Sequence, residues 1–460
     1  MNITKRTAVS CPEVDMKRVV IIGAGFGGLR AARGLAGKGF EVWLLDRQNY
    51  HLFQPLLYQV ATASLDEDSI AQPVRSIVRG WDGVQFRLTE VEGVDAARRQ
   101  IITREGPFSY DYLVVAAGAA TAFFGLNSAA EHAYELKGLD DAIILRNRIL
   151  SAFERALLED DPALRRALLT FVVIGGGPTG VEFAGALAEL VNRVLVKDYP
   201  RELIDETRIV LVEMAPYLLA PYAEKQREYA RRRLERMGVE VRLGSAVKDV
   251  LPDRVVLDDG SDIPSFTVLW AAGVEAAPLA GQLPAERARG GRVPVQPDLT
   301  LPGHPEIYVI GDMAYLEQDG QPLPQMAPVA MQMGEYVARH IVARERGRSI
   351  PPFRYRDRGS MAVIGRSAAV ARIFGRRFRG FIAWVIWLVL HLLQLIDFRN
   401  RLLVVISWAY DYLLFERKVG LIVRAGAARP LGPENLLDTP IAGSEQAGAH
   451  VHAAPEAHSR

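Results

Sequence analysis

Cysteine is almost absent, Cys11 being the single one in 460 residues. That excludes an internal disulfide framework and any Cys-x-x-Cys pair, so dithiol chemistry is not available to this chain. An excess of one charge is lacking too. Lysine and arginine number 55 against 54 acids, a formal net charge of +1, which leaves no overall basic field for nucleic acid. Residues 1 to 16 hold no apolar stretch of the length a secretory signal needs, so the body is expected to stay in the cytoplasm. What is present is 49% hydrophobic content, enough to build two or three globular domains.

The chain repeats one grammar. An apolar β-branched run (Val19 to Ile22), a glycine cluster and a helical stretch from Leu29 to Lys38 form a β-turn-α opening, and the same order returns at Phe171 to Ile174, GGGPTG and Val181 to Leu195. Each unit also has a later apolar strand ending in glycine, YLVVAAGA with Gly118 and TVLWAAGV with Gly273. The parallel spacing predicts two copies of one nucleotide-binding design. A third strand, IYVIGD at 307 to 312, precedes a helical stretch from about Pro328 to Ala343 and belongs to neither repeat.

The first loop, GAGFGG, sets Gly23, Gly25 and Gly28 at the G-x-G-x-x-G positions, with Phe26 and Gly27 between them. Gly23 allows the tight turn, Gly25 the approach of a pyrophosphate, and Gly28 close packing of helix on strand, so that the helix N-terminus faces the anion. The strand EVWLLD ends in Asp46, followed by Arg47, where a carboxylate can hold the ribose hydroxyls of an adenosine. The second loop supplies Gly175, Gly177, Pro178, Thr179 and Gly180, and its acid is Glu213 at the end of RIVLVE. Glu213 comes later than usual because residues 197 to 207 read as an inserted loop. A carboxylate there repels a 2′-phosphate, so the second nucleotide is expected to be NADH rather than NADPH. Hydride chemistry needs an acceptor in contact with that donor, and FAD is the natural occupant of the first site. Gly311 and Asp312 support this, since Gly311 permits close backbone approach and Asp312 can bind a ribityl chain. A helix starting near Ala327 would aim its positive end at the flavin.

Together these motifs resemble the pyridine-nucleotide-dependent flavoproteins, and more closely the type II NADH:quinone oxidoreductases, over roughly residues 17 to 420. The most specific element is HLFQPLLYQVATA at 51 to 63, which is similar to that family's segment near flavin and quinone. The resemblance implies FAD contacts at Gly23, Gly25, Gly28, Asp46, Gln54 and Asp312. It sets Glu182 near the nicotinamide, on a proton path to the quinone; as bare sequence, Glu182 is equally a first-turn helix acid favoured by the dipole. The family's Ala-Gln-x-Ala-x-Gln-x-Gly pattern reads APVAMQMG at 327 to 334, with Pro328 in the first glutamine's place and Gln332 retained. Gln332 is the candidate amide donor to a quinone carbonyl, and Tyr58 the candidate ring to pack on it.

After Arg344 come eight arginines between Arg354 and Arg379, opposed by Asp357, then two apolar runs at 381 to 396 and 402 to 415. The runs resemble the family's membrane-anchoring segment. Both are shorter than the ~20 residues that span a bilayer, which favours lying in the interface, with Trp384, Trp387 and Trp408 at headgroup level and the arginines on anionic lipid. A buried core hairpin or a homodimer contact would use the same face. The expected fold is therefore α/β, with two Rossmann-like domains, the FAD domain (17–165 and 286–344) interrupted by the NADH domain (166–285). A helical membrane-binding region (345–424) and a flexible tail (425–460) follow. The expected function is transfer of hydride from NADH to FAD and of two electrons to a quinone, peripherally on the cytoplasmic face of the plasma membrane. An NADH oxidase or another reductase on the same fold, and a non-catalytic NADH-sensing flavoprotein, are the rival readings. A sulfide:quinone reductase is excluded by the missing cysteine pair.

Overall fold

The run RVVII forms β1 (Arg18–Ile22), and its near-continuous burial is that of a parallel strand covered on both faces. The computed structural model describes residues 16–395, 401–406, 408–409 and 422; Cys11 and the tail expected from Ala425 lie outside them. α1 (Phe26–Leu35) carries the chain from β1 to β2 (Glu41–Asp46), and β3 (Val84–Leu88) and β4 (Tyr112–Val115) complete a parallel order β4-β1-β2-β3. β5 (Ala119–Thr121) then leaves this unit, and α2 (Leu139–Leu158) leads into the next.

The second unit repeats the first. β6 (Thr170–Ile174), α3 (Pro178–Glu189), β7 (Arg208–Glu213), α4 (Glu224–Arg236), β8 (Val239–Leu243) and β9 (Thr267–Trp270) give a parallel order β9-β6-β7-β8, strand for strand that of the first sheet. The stretch before β7 is not a loop. A π-turn at Leu190–Val194, a 3-10 turn at Leu195–Lys197 and a helix at Arg201–Glu206 fill it, because Val191, Val194, Leu195, Leu203 and Ile204 have apolar core to bury in. β10 (Val274–Ala276) returns antiparallel to β5. β11 (His304–Val309) then joins β4 in parallel, so the strand outside both repeats extends the first sheet. This is the doubly wound α/β arrangement in which ligands sit beyond the carboxyl ends of the strands.

α5 (Ala327–Glu345) packs on α1 through small residues. A Cβ on Gly334 would lie 2.2 Å from the Gly27 carbonyl oxygen, and one on Gly34 would meet the Ala338 methyl at 2.5 Å. Pro328 falls in the first turn of α5, where its missing N–H costs no helical hydrogen bond.

The region after Arg344 departs from the helical expectation. It opens as an antiparallel sheet of β12 (Gly359–Val363), β13 (Ala369–Ile373) and β14 (Arg376–Gly380), and only then enters α6 (Phe381–Gln394). The turn between β13 and β14 has Phe374 and Gly375 both at positive φ, the form a two-residue hairpin needs. The arginines are partly engaged by protein: Arg354 pairs with Asp319 and Arg372 with Asp357. The sheet and α6 share one apolar core with α2, α3 and the 53–65 segment. No helix among the described residues is long and apolar enough to cross a membrane.

Gly334→Ala is expected to drive α5 off α1, because the obstacle is backbone rather than a movable side chain. A cost of about 1–3 kcal/mol is the usual scale for overpacking, read as a lowered urea midpoint with the fold retained.

Candidate active site

Both glycine loops have the same geometry. Gly23 (φ +101) and Gly175 (φ +111) turn the chain out of β1 and β6 against the carbonyls of Ala116 and Ala271, which a Cβ would approach to 2.3 and 2.5 Å. A Cβ on Gly28 or Gly180 would lie 1.8 or 1.9 Å from the carbonyl oxygen of Gly23 or Gly175, so any other residue would push the helix off its strand. Gly25 and Gly177 differ: a Cβ there would meet nothing within 4 Å. Their lack of a side chain keeps open the space in front of the helix N-terminus, and the loops fit a dinucleotide pyrophosphate.

The acids at the ends of β2 and β7 tie back to these loops. Asp46 accepts from the Ala24 amide at 2.6 Å and the Gln48 amide at 2.8 Å, and Glu213 accepts from the Gly176 amide at 2.5 Å and the Ala215 amide at 2.7 Å. Burial raises the Asp46 pKa, against the lowering effect of those amides. Buried His51 bonds through Nδ1 to the Ala24 carbonyl at 2.9 Å, and Phe26 stands edge-on to it at 5.1 Å. Gly27 is buried under α5, whereas Arg47, Pro178 and Thr179 are exposed. Gly118 has a positive φ and open space beside it, and Gly273 lies under the Phe124 ring.

Asp312 follows Gly311 (φ +69) in a short 3-10 turn. Burial raises its pKa, opposed by Lys137 and Arg292. Lys137 is a residue that sequence reasoning missed. Burial lowers its pKa, opposed by Asp312 first, and its carbonyl accepts from Gln54 Nε2 at 3.0 Å. In the sequence it precedes an acidic helix start and reads as a surface charge.

A cleft of about 110 Å³ lies between α3, α6 and the one-turn helix Leu57–Ala61. Tyr58, Gln59, Glu182, Glu189, Arg193, Arg366, Trp384, Trp387, Leu388 and Trp408 are among its lining residues. The tryptophans therefore do not point out to a headgroup level as expected: Trp387 is buried, Trp384 and Trp408 are half-buried, and the exposed apolar positions of α6 are Phe381, Ile382, Val385, Val389 and Leu393. Glu182 is half-buried on α3, and its Oε1 accepts from the Val363 amide at 3.2 Å. Burial pushes its pKa up to about 8 despite that hydrogen bond. One turn pair further along α3, Glu189 accepts from the Arg366 amide. Gln332 lies apart from the cleft lining, with both ends of its amide bonded to the Arg356 backbone at 3.0 Å.

Residues 17–334 match the pyridine nucleotide-disulphide oxidoreductase family, and residues 358–418 the NDH2 C-terminal domain. The type II NADH:quinone oxidoreductase Ndh of Mycobacterium tuberculosis is 43% identical over 417 residues, 87% of this chain and 89% of the relative. The chain belongs to the type II NADH:quinone oxidoreductases. An internal alternative NAD(P)H-ubiquinone oxidoreductase A1 of Arabidopsis thaliana mitochondria is 30% identical over 89% of this chain and 86% of its own length. The solved NDH2 of Plasmodium falciparum in complex with NADH superposes with a TM-score of 0.81 at 20% identity, covering 88% of this chain and 99% of that one. The fold of the type II enzymes is thus shared end to end over the matched region, including the domain after the second nucleotide unit.

The Glu182 carboxyl has a pH signature. It stays protonated in the folded chain up to about pH 8, whereas its ordinary value is 4.5. Between those values the folded state holds a proton that the unfolded state has released, so this group's contribution to stability falls as pH rises, by about 1.4 kcal/mol per unit. Glu182→Gln is expected to abolish that slope in the flavin-loaded protein. Urea unfolding of both proteins from pH 5 to 8 measures it, and parallel curves would refute the assignment.

Proposed function

We propose that this chain oxidises NADH and reduces a quinone in the tryptophan-walled cleft, with FAD held by the first nucleotide unit and NADH by the second. The observation that carries this reading is α3. Its N-terminus is the second glycine loop, and its body delivers Glu182 and Glu189 to the cleft. FAD, when bound, supplies an acceptor for hydride and a donor of two electrons. Gly23, Gly25, Gly28, Asp46, Gln54, Gly118, Gly311 and Asp312 would hold it, with Lys137 balancing the half-buried Asp312 charge. Gly175, Gly177, Gly180, Glu213 and Gly273 would hold NADH. Glu182, neutral at pH 7, holds a proton inside the cleft where reduction of a quinone to quinol consumes protons. Gln332, as a quinone contact, would first have to release the Arg356 backbone. The deciding experiment is steady-state NADH oxidation by the purified flavoprotein with and without ubiquinone-1. Dependence on quinone supports the reading, and an equal rate with oxygen alone would make the chain an oxidase.

The acid at the end of β7 sets the donor. Glu213→Gln is expected to raise kcat/KM for NADPH relative to NADH about tenfold, ~1.4 kcal/mol, by removing repulsion of a 2′-phosphate. An unmodified protein that already uses both donors equally would contradict this.

The membrane surface is the partner that fits the outer face of α6. Ile382, Val385, Val389 and Leu393 recur along one side of the helix and are all exposed, as are Leu402, Val405 and Ile406. Phe374, 80% exposed at its hairpin tip, is flanked by exposed Arg376 and Arg377. An aliphatic stripe beside guanidinium groups suits the interface of an anionic leaflet, on the cytoplasmic side of the plasma membrane. A homodimer would cover the same stripe. The triple variant Ile382→Asp, Val389→Asp, Leu393→Asp is expected to move the protein from membranes to the soluble fraction, while high salt only weakens binding of the unmodified chain. If the variant stays on membranes but its sedimentation mass halves, the stripe is a dimer contact.

A further inference from the structure

Phe124 breaks a local rule in the connector between the two nucleotide units. The Leu126 amide donates to the Phe123 carbonyl at 2.9 Å, and the two residues between them, Phe124 (φ +53) and Gly125 (φ +80), both lie in the left-handed region. This is the type I′ form of turn, whose first central position favours asparagine, aspartate or glycine. A phenylalanine there costs backbone strain. Burial of its ring recovers little of that cost, since Phe124 is 74% exposed. Phe123, by contrast, is half-buried with its ring centre 5.8 Å from that of Trp270, and so anchors the turn on the second unit. The Phe124 ring lies over Gly273: a Cβ on that glycine would come within 2.7 Å of the ring tip.

We propose that the exposed Phe124 ring is a substrate contact, packing on the nicotinamide half of NADH and holding it over the end of β9. The proposal rests on the reading of the second unit as the NADH site, and it adds a residue from outside that unit. Sheet order decides which half of the dinucleotide the ring meets. β6 lies between β7 and β9, and the loop after β6 takes the pyrophosphate at the N-terminus of α3. Glu213, at the end of β7, takes the adenosine ribose, so the nicotinamide half extends the other way, over the end of β9. There the Gly175 turn packs on Ala271 and Ala272, and Gly273 follows with the Phe124 ring above it. An aromatic face suits a planar nicotinamide, and their contact takes apolar surface of both out of water. Because Phe124 belongs to the connector leaving the first unit, the nicotinamide is gripped from both units rather than from one.

Two ligands that share only the adenosine half separate this role from a general one. Full-length, flavin-loaded protein in detergent micelles is titrated calorimetrically with tetrahydro-NAD, an NADH analogue that gives no hydride, and with ADP-ribose, which lacks the nicotinamide. Phe124→Asn removes the ring and supplies a residue that the turn prefers. It is expected to raise the Kd of tetrahydro-NAD about tenfold, the scale of one aromatic contact and the area it covers. The Kd of ADP-ribose should stay the same, and the urea midpoint should hold or rise as the strain is relieved. Phe124→Tyr keeps the ring and should bind both ligands as the unmodified protein does. Phe124→Leu, apolar but without a ring, is read in place of Phe124→Asn if the asparagine variant fails to retain flavin. Unmodified protein that binds neither ligand would overturn the NADH reading of the second unit and this role with it. Binding of both ligands by the unmodified protein, with tetrahydro-NAD bound as tightly by Phe124→Asn or with its loss shared equally by ADP-ribose, would overturn the role of Phe124 alone.

Discussion

The nucleotide units depend on a contact made by an absent side chain. In each, the third glycine of the loop sits so close to the first glycine's carbonyl that a Cβ would lie under 2 Å from it. This brings α1 onto β1 and α3 onto β6, and so aims each helix N-terminus at the ends of the strands, where the acid of the next strand also arrives. Asp46 and Glu213 then bond the amide that follows the first glycine. One close packing contact thus sets loop, helix and carboxylate together, and its repetition makes the two sites equivalent in geometry.

The C-terminal sheet is held to both units by polar side chains that reach its backbone. Glu182 and Glu189 of α3 accept from amides of Val363 and Arg366, and Gln226 of α4 donates to the carbonyls of Ala371 and Phe378. On the other side, Gln332 of α5 takes both the N–H and the C=O of Arg356. A primary amide presents the same donor and acceptor as a peptide group, so Gln332 joins the 353–358 segment as one more strand rung would. Buried polar groups that must be satisfied thereby fix where α6 can lie, and with it the wall of the cleft.

The loops, their acids and the strand order were legible because glycine stereochemistry and β-branched runs are local properties. What stayed hidden depends on distant partners. Lys137 reads as a surface charge until Asp312, far along the chain, folds over against it. The tryptophans have a composition that suits a headgroup belt, but packing against Gln59 and the sheet turned them inward and left Phe381 and four aliphatic side chains of α6 outside. The hairpin turn at Phe374 and Gly375 escaped notice because its first residue is not the asparagine, aspartate or glycine that announces such a turn. Residues 197–207 looked like an inserted loop; the apolar side chains that fold it pack into a core built from segments far away in the sequence.

The two crossings between nucleotide units, β5 outward and β10 back, are hydrogen-bonded to each other as an antiparallel ladder. The Ala122 amide donates to the Gly273 carbonyl, and the Trp270 indole donates to the Ala122 carbonyl just beyond it. Two separate connectors would let one unit swivel about either. A paired ribbon resists torsion and shear along its length and yields mainly to bending across its face. Together with the C-terminal region bonded to both units, the ribbon holds the second unit against spinning on the first, so the line between the two glycine loops keeps its heading.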